Sequence, residues 1–191
     1  MQIISGKYRG KKLKPMYNEI TRPTKNRVRE SVFNVLGKRV RDAVVLDLFA
    51  GSGVNSAECL SRGASEVIAN DNDEKATAII KQNLSGLGNG AVITGLDYMD
   101  ALATLKNRTF DIIFLDPPYE SDFGPLAIDY LTQRNMLSKD AIIVFETDTK
   151  FPLALPRIIG QRIITGRSRD YGRTRIYFLS QKEKQNQGNP N

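Results

Sequence analysis

The sequence predicts an α/β fold built on a doubly wound, mostly parallel sheet. Three observations carry that prediction. From residue 43 onward, strand-like and helix-like segments alternate, and β-α alternation brings strands in parallel. Within that run Ile112, Ile113, Phe114 and Leu115 form an unbroken apolar stretch, as in a strand buried on both faces. Near the C-terminus the rhythm changes to two strand patterns with no helix between them, which predicts a terminal antiparallel hairpin.

The elements follow in order. Residues 2–15 hold two short extended stretches around Lys7-Tyr8-Arg9-Gly10, the pattern of a hairpin. Thr24 reads as an N-cap, with Val28, Val32, Phe33, Val35 and Leu36 at helical spacing and Gly37 as the stop. Strands are predicted over Val44 to Phe49, Glu66 to Asn70, Ala91 to Gly95, Phe110 to Leu115 and Ala141 to Phe145. Helices are predicted over Val54 to Ser61, Glu74 to Leu84 with Asp73 as N-cap, Tyr98 to Leu105, and Leu126 to Asn135. The closing strands are Gln161 to Thr165 and Arg175 to Leu179. Residues 181–191 are polar and are expected to form a disordered tail.

The chain has 191 residues, enough for one domain with a sizeable core. No apolar run is long enough to cross a bilayer. Met1-Gln2-Ile3-Ile4 lacks the pattern of a signal peptide, so a cytoplasmic location is expected. Cys59 is the single cysteine, which excludes an internal disulfide and a cysteine-rich zinc site. Histidine is absent. That removes Ser-His and Cys-His nucleophile pairs and most zinc catalysis, and no metal site is expected.

The net charge of +7 is unevenly spread. Residues 1–40 carry a net +9, residues 41–160 a net −7 and residues 161–191 a net +5. Two basic ends around an acidic body point to a polyanionic partner, nucleic acid above all.

The chemistry-bearing stretches lie at strand ends. Leu46-Asp47-Leu48-Phe49-Ala50-Gly51-Ser52-Gly53 is a strand entering a glycine loop, where backbone can approach a ligand closely. A tight turn without ligand reads the same way. The third glycine of a dinucleotide fingerprint is replaced by Ser56, and no Gly-Lys-Ser/Thr follows. The second strand ends at Asn70-Asp71-Asn72-Asp73; Asp71 is placed to accept from ribose hydroxyls. Asp97 follows the third strand and either accepts from an adenine amine or caps a helix. The fourth strand stops at Asp116-Pro117-Pro118-Tyr119, because neither proline offers an N–H and Pro118 drives Pro117 out of the helical region.

Together these parts resemble the S-adenosylmethionine-dependent methyltransferases that act on amino groups of nucleic-acid bases, in which D-P-P-[YF] is a specific signature. The ends are similar to the RsmD family, over about residues 1–180. The matching stretches are Ile3-Ile4-Ser5-Gly6, Arg9-Gly10-Lys11-Lys12-Leu13, Thr21-Arg22-Pro23-Thr24, Arg27-Val28-Arg29-Glu30, Phe33-Asn34 and Tyr171-Gly172 with Thr174. Lys25-Asn26 departs from the family, which usually has Ser/Thr then Asp there.

The resemblance implies a three-layer, Rossmann-like class I methyltransferase with a seven-stranded sheet. Residues 1–40 would be a basic, RNA-binding extension and residues 41–180 the methyltransferase domain. It implies S-adenosylmethionine as cofactor, held by Asp47, Phe49, Gly51, Ser52, Gly53, Asp71, Asn72, Asp97, Tyr98 and Asp116. It implies methylation of guanine N2 in 16S rRNA, within the 30S subunit or an assembly intermediate, by a monomer. Asp116 and the Pro117 carbonyl would orient the amine and Tyr119 would stack on the base. Lys7, Arg9, Lys11, Lys12, Arg22, Arg27, Arg29, Arg167, Arg169 and Arg173 would grip RNA, with Arg22 and Arg29 alternatively closing over the cofactor or base. Two other readings share the core signature: a DNA adenine-N6 or cytosine-N4 methyltransferase, and a non-catalytic ribosome-assembly factor.

Overall fold

The computed structural model describes residues 1–16 and 23–183. Helix α1 (Pro23–Leu36) runs into a 3-10 turn (Gly37–Val40). Then follow β1 (Val44–Asp47), α2 (Val54–Ser61), β2 (Glu66–Asn70), α3 (Glu74–Leu84), β3 (Ala91–Thr94), α4 (Tyr98–Thr104) and β4 (Phe110–Leu115). The chain ends with α5 (Phe123–Gln133), β5 (Leu137–Asp148), β6 (Arg157–Ile159), β7 (Arg162–Tyr171) and β8 (Thr174–Glu183).

The eight strands among the described residues form one sheet in the order β3-β2-β1-β4-β5-β8-β7-β6. The first five pair in parallel, and β8 is antiparallel to both β5 and β7. The expected seven strands become eight because β6 adds to the edge beside β7. Three residues, with Ile158 61% exposed, carry too little periodicity to be read as a strand.

Strand residues alternate between two cores, which makes three layers. Val45, Val67, Ile112, Phe114, Val144 and Ile176 face α1, α2 and α3. Leu46, Ile68, Ile113, Leu115, Ile143 and Leu179 face α4 and α5. The strand β4 is covered on both sides, as its unbroken apolar run predicts.

Several boundaries move. Thr24 lies inside α1, which begins at Pro23. Asp122 occupies the N-cap position of α5, which starts three residues earlier than predicted. Pro125 is tolerated there because the first turn has no N–H to lose. Strand β8 runs to Glu183, three residues into the expected tail, because antiparallel β7 gives Gln181, Lys182 and Glu183 partners. Arg22 and residues 184–191 lie outside the described residues.

The N-terminal segment packs into the same core as the sheet. Ile3, Leu13, Val28, Val32 and Phe33 are buried with the β1 and β4 side chains. The hairpin is minimal, a single bridge between Gln2 and Lys12. It is fixed to α2 by polar bonds. The Glu58 carboxylate, fully buried, accepts the Ile4 N–H at 2.5 Å. Ser61 accepts from Lys7 N at 2.7 Å and donates to Ser5 O at 2.6 Å. Gly6 has φ +86, and a Cβ there would fall 1.9 Å from Ser61 O, so this contact requires glycine.

Candidate active site

Strand order reverses between β1 and β4, and in open α/β sheets the crevice at such a switch point takes the ligand. The loops after β1, β2, β3 and β4 all meet there. Gly51 and Gly53 have φ of 55 and 72, a region that L side chains avoid, so the β1–α2 loop turns sharply. Beneath it the buried Asp47 accepts from Ser56 N at 3.2 Å and Ser56 Oγ at 2.6 Å, joining the end of β1 to α2. Burial pushes the Asp47 carboxyl up to about 6 despite these bonds.

A second buried polar group holds the strand ends together. Asn70 donates to Leu48 O at 3.2 Å and Leu96 O at 3.0 Å, and accepts from Thr94 Oγ1 at 2.8 Å. This one side chain binds the loops after β1 and β3. Sequence reasoning passed over it, because a buried asparagine looks like any strand-end polar residue until its partners are known.

The resulting cavity has a volume of about 350 Å³. Phe49, Gly51, Asp71, Asn72, Asp97, Tyr98, Asp116, Pro117 and Tyr119 line it, all of them predicted. Leu48, Asn70, Leu96, Pro118 and Phe123 complete it. Tyr98 stacks on Phe123 at 4.7 Å and tilts against Phe49 at 5.6 Å, an aromatic wall for a planar ligand. Phe123 was missed because its helix was predicted to begin later. Asp71 accepts from Gly51 N at 2.8 Å and Asp73 N at 3.0 Å, which leaves lone pairs for hydroxyls. Asp97 is both helix cap, accepting from Met99 N at 2.9 Å, and cavity wall. Apolar and aromatic walls with carboxylates fit an adenosine ligand.

Three predicted cofactor residues do not reach this wall. Asp47 is committed to Ser56 beneath the loop. Ser52 is buried, its carbonyl accepting from Asn83 Nδ2 at 2.8 Å. Gly53 is the αL residue that starts α2, and a Cβ there would meet Ile80 at 3.3 Å. These residues shape the loop from below.

Asp116 also lines a second, smaller cavity between α1 and the ends of β5 and β8, of about 110 Å³. Its polar walls include Asn26, Arg29, Asn55, Glu146 and Thr174. The Tyr119 hydroxyl donates to Glu146 at 3.3 Å. Burial raises the Tyr119 pKa, and the Glu146 and Asp116 charges raise it further, so the hydroxyl stays a donor.

The predicted RNA-binding residues divide. Lys7, Arg9, Lys12, Arg27, Arg167, Arg169 and Arg173 are exposed. Lys11 donates to Ser85 O at 2.5 Å, and Arg173 pairs with Asp148 at 2.9 Å while remaining 80% exposed. Arg29, read as an RNA grip or as closing over the cofactor or base, is 7% exposed, lies 3.7 Å from Glu58, donates to Gln2 O at 2.9 Å and lines the smaller cavity with Asp116. The two basic ends meet in space: Ser31 of α1 hydrogen-bonds the Tyr171 hydroxyl, and Arg169 donates to Ser31 Oγ at 3.3 Å.

The sheet order, the reversed last strand and the ligand crevice with Asp-Pro-Pro-Tyr at its edge define a class I, S-adenosylmethionine-dependent methyltransferase. The family model described as Conserved hypothetical protein 95 matches residues 1–180. The chain belongs to that family, the RsmD family its motifs resemble. It is 38% identical to a Bacillus subtilis protein described as a candidate rRNA methyltransferase, YlbH, over 95% of this chain and 100% of that one. It is 36% identical to Ribosomal RNA small subunit methyltransferase D of Haemophilus influenzae, over 82% of this chain and 83% of the other. Among solved structures, an Escherichia coli protein described as a candidate methyltransferase, yhhF, superposes with a TM-score of 0.82 at 30% identity. That match covers 97% of this chain and 99% of the other.

Proposed function

We propose that the protein methylates the exocyclic N2 amine of one guanine in 16S rRNA of the small ribosomal subunit. The observation that carries this reading is the position of Asp116, a wall of both cavities. One cavity suits a methyl donor and the other opens onto α1, beside which the basic ends meet. The names of the relatives favour rRNA as the acceptor.

S-adenosylmethionine, when bound, supplies an electrophilic sulfonium methyl group. Asp71 would accept from the ribose hydroxyls, Asp97 from the adenine amine, and the Tyr98–Phe123 wall would face the adenine. Gly51 brings backbone close to the methionine portion. The acceptor amine is a weak nucleophile because its lone pair is delocalised into the base. Asp116 and the Pro117 carbonyl each accept one N–H, turning the lone pair toward the methyl carbon for in-line displacement. Asp116, which would already accept one amine N–H, would take the proton that the amine gives up on methylation. Tyr119 stacks on the extracted base, with a contribution of about 1–3 kcal/mol. Lys7, Arg9, Lys12, Arg27, Arg169 and Arg173 neutralise phosphates on a 30S particle or assembly intermediate.

Transfer of labelled methyl to unmodified 30S particles, to naked 16S rRNA and to duplex DNA tests the reading. Label at N2 of one guanine in the particle or rRNA is expected. Label in DNA alone overturns it in favour of a DNA amino-methyltransferase, and no transfer despite donor binding favours a non-catalytic assembly factor.

A further inference from the structure

Glu146 belongs to no motif singled out in the sequence, yet the sheet register sets it beside Asp116. Leu115 of β4 pairs with Phe145 of β5 in parallel, so Asp116 and Glu146 are the next residues along two neighbouring strands. Both line the smaller cavity. Glu146 is half-buried and accepts the Tyr119 hydroxyl at 3.3 Å. Across the cavity from Arg29 and Asn26 of α1, two adjacent carboxylates with a tyrosine at their top offer acceptors to a ligand edge presenting several N–H donors together.

Among the nucleobases, only guanine presents that edge. Its N1–H and N2 amine lie side by side. Adenine offers an acceptor at N1, cytosine an acceptor at N3, and uracil one N–H flanked by two carbonyls. A carboxylate facing N1 of adenine or N3 of cytosine would set lone pair against lone pair.

We propose that the smaller cavity seats the acceptor base and that Glu146 selects guanine by accepting N1–H, while Asp116 and the Pro117 carbonyl take the two N2–H bonds. This deepens, and rests on, the reading of the protein as a guanine-N2 methyltransferase. Glu146 is then the specificity-determining residue, and Asp116 the one that aims the amine. A buried acceptor left facing the wrong edge is what gives hydrogen-bonding sites their discrimination.

Glu146→Gln tests it, assayed on 30S particles carrying either the natural target guanine or 2-aminopurine in its place. The amide keeps an oxygen for the Tyr119 hydroxyl but replaces the other acceptor with a donor that opposes N1–H. A purely structural role in holding Tyr119 would therefore survive the change. The expected result is a loss in kcat/KM on guanine on the order of 100-fold, with donor affinity by calorimetry within about 3-fold. 2-Aminopurine keeps the N2 amine but has an acceptor at N1, so the preference between the two substrates should move toward 2-aminopurine in the variant. Wild-type protein should itself prefer guanine over 2-aminopurine by about 100-fold, a readout independent of how the variant folds. Equal use of the two substrates by a wild-type protein that makes N2-methylguanine overturns the role of Glu146 and leaves the parent reading standing. So does an unchanged guanine rate in the variant. Methylation of adenine or cytosine by wild type overturns both.

Discussion

Gly51 donates its backbone N–H to the Asp71 carboxylate at 2.8 Å. The glycine loop after β1 and the acid after β2 are therefore one unit, and the proposed ribose acceptor also fixes the loop beside it. Asp71→Ala should weaken S-adenosylmethionine binding by about 10- to 100-fold. Asp71→Asn, whose amide oxygen can still accept from Gly51, should lose less. Calorimetric titration with the donor separates the two.

Asp116 stands at the junction of the cavities. Asp116→Ala should lower kcat by about 100-fold or more, while donor affinity changes by less than about 3-fold. Loss of donor binding in the same titration would reassign Asp116 to the cofactor.

Glu58 is fully buried between Arg29 at 3.7 Å and Arg62 at 3.2 Å. Glu58→Ala removes the carboxylate from both and also frees the Ile4 N–H. The expected loss is about 3–5 kcal/mol of stability, read as a lower denaturation midpoint. An unchanged midpoint would mean that the N-terminal segment docks without this pair.

Arg9 and Lys12 are exposed on the N-terminal hairpin. Reversing both to Glu should weaken rRNA binding and flatten its salt dependence, by roughly 0.7–0.9 in the log–log slope for each phosphate that is no longer neutralised. Melting temperature should hold. An unaltered slope would make this charge ordinary surface.

Asp47 gives a pH signature. Its ordinary value of 3.8 is raised to about 6 in the fold by burial. The native state therefore holds the proton more tightly than the unfolded chain, and stability falls as pH rises between those values. Above pH 6 the full cost of charging a buried carboxylate is present; below about 3.8 it is absent. Asp47→Asn, which keeps an acceptor for Ser56, should raise stability at pH 8 by about 3 kcal/mol and change little at pH 4. Denaturant midpoints at the two pH values give the answer.

Much of the site was legible because its residues lie where the chain changes period. Asp71, Asp97 and Asp116 each follow an apolar strand, and each lines the cavity. Helix α2 and strand β4 have their predicted bounds, since glycines or prolines punctuate them. Asp47, Ser52 and Gly53 lie beneath the loop rather than on the cavity wall, because a glycine loop read in one dimension does not say which of its residues face up. The burial of Arg29 was not legible, because an arginine at a helix start looks solvated until Glu58, 29 residues on, is folded beside it.

By itself the sequence determined the parallel α/β core, the reversed final strand and the acids at the strand ends. These follow from local periodicity and from prolines and glycines, which act on neighbouring residues. Tertiary structure alone decided which charges are buried and which face solvent. It joined basic ends 140 residues apart through Ser31 and Tyr171, and it set Glu146 beside Asp116 through a sheet register. Those outcomes depend on desolvation and strand pairing between distant segments, and no local pattern encodes them.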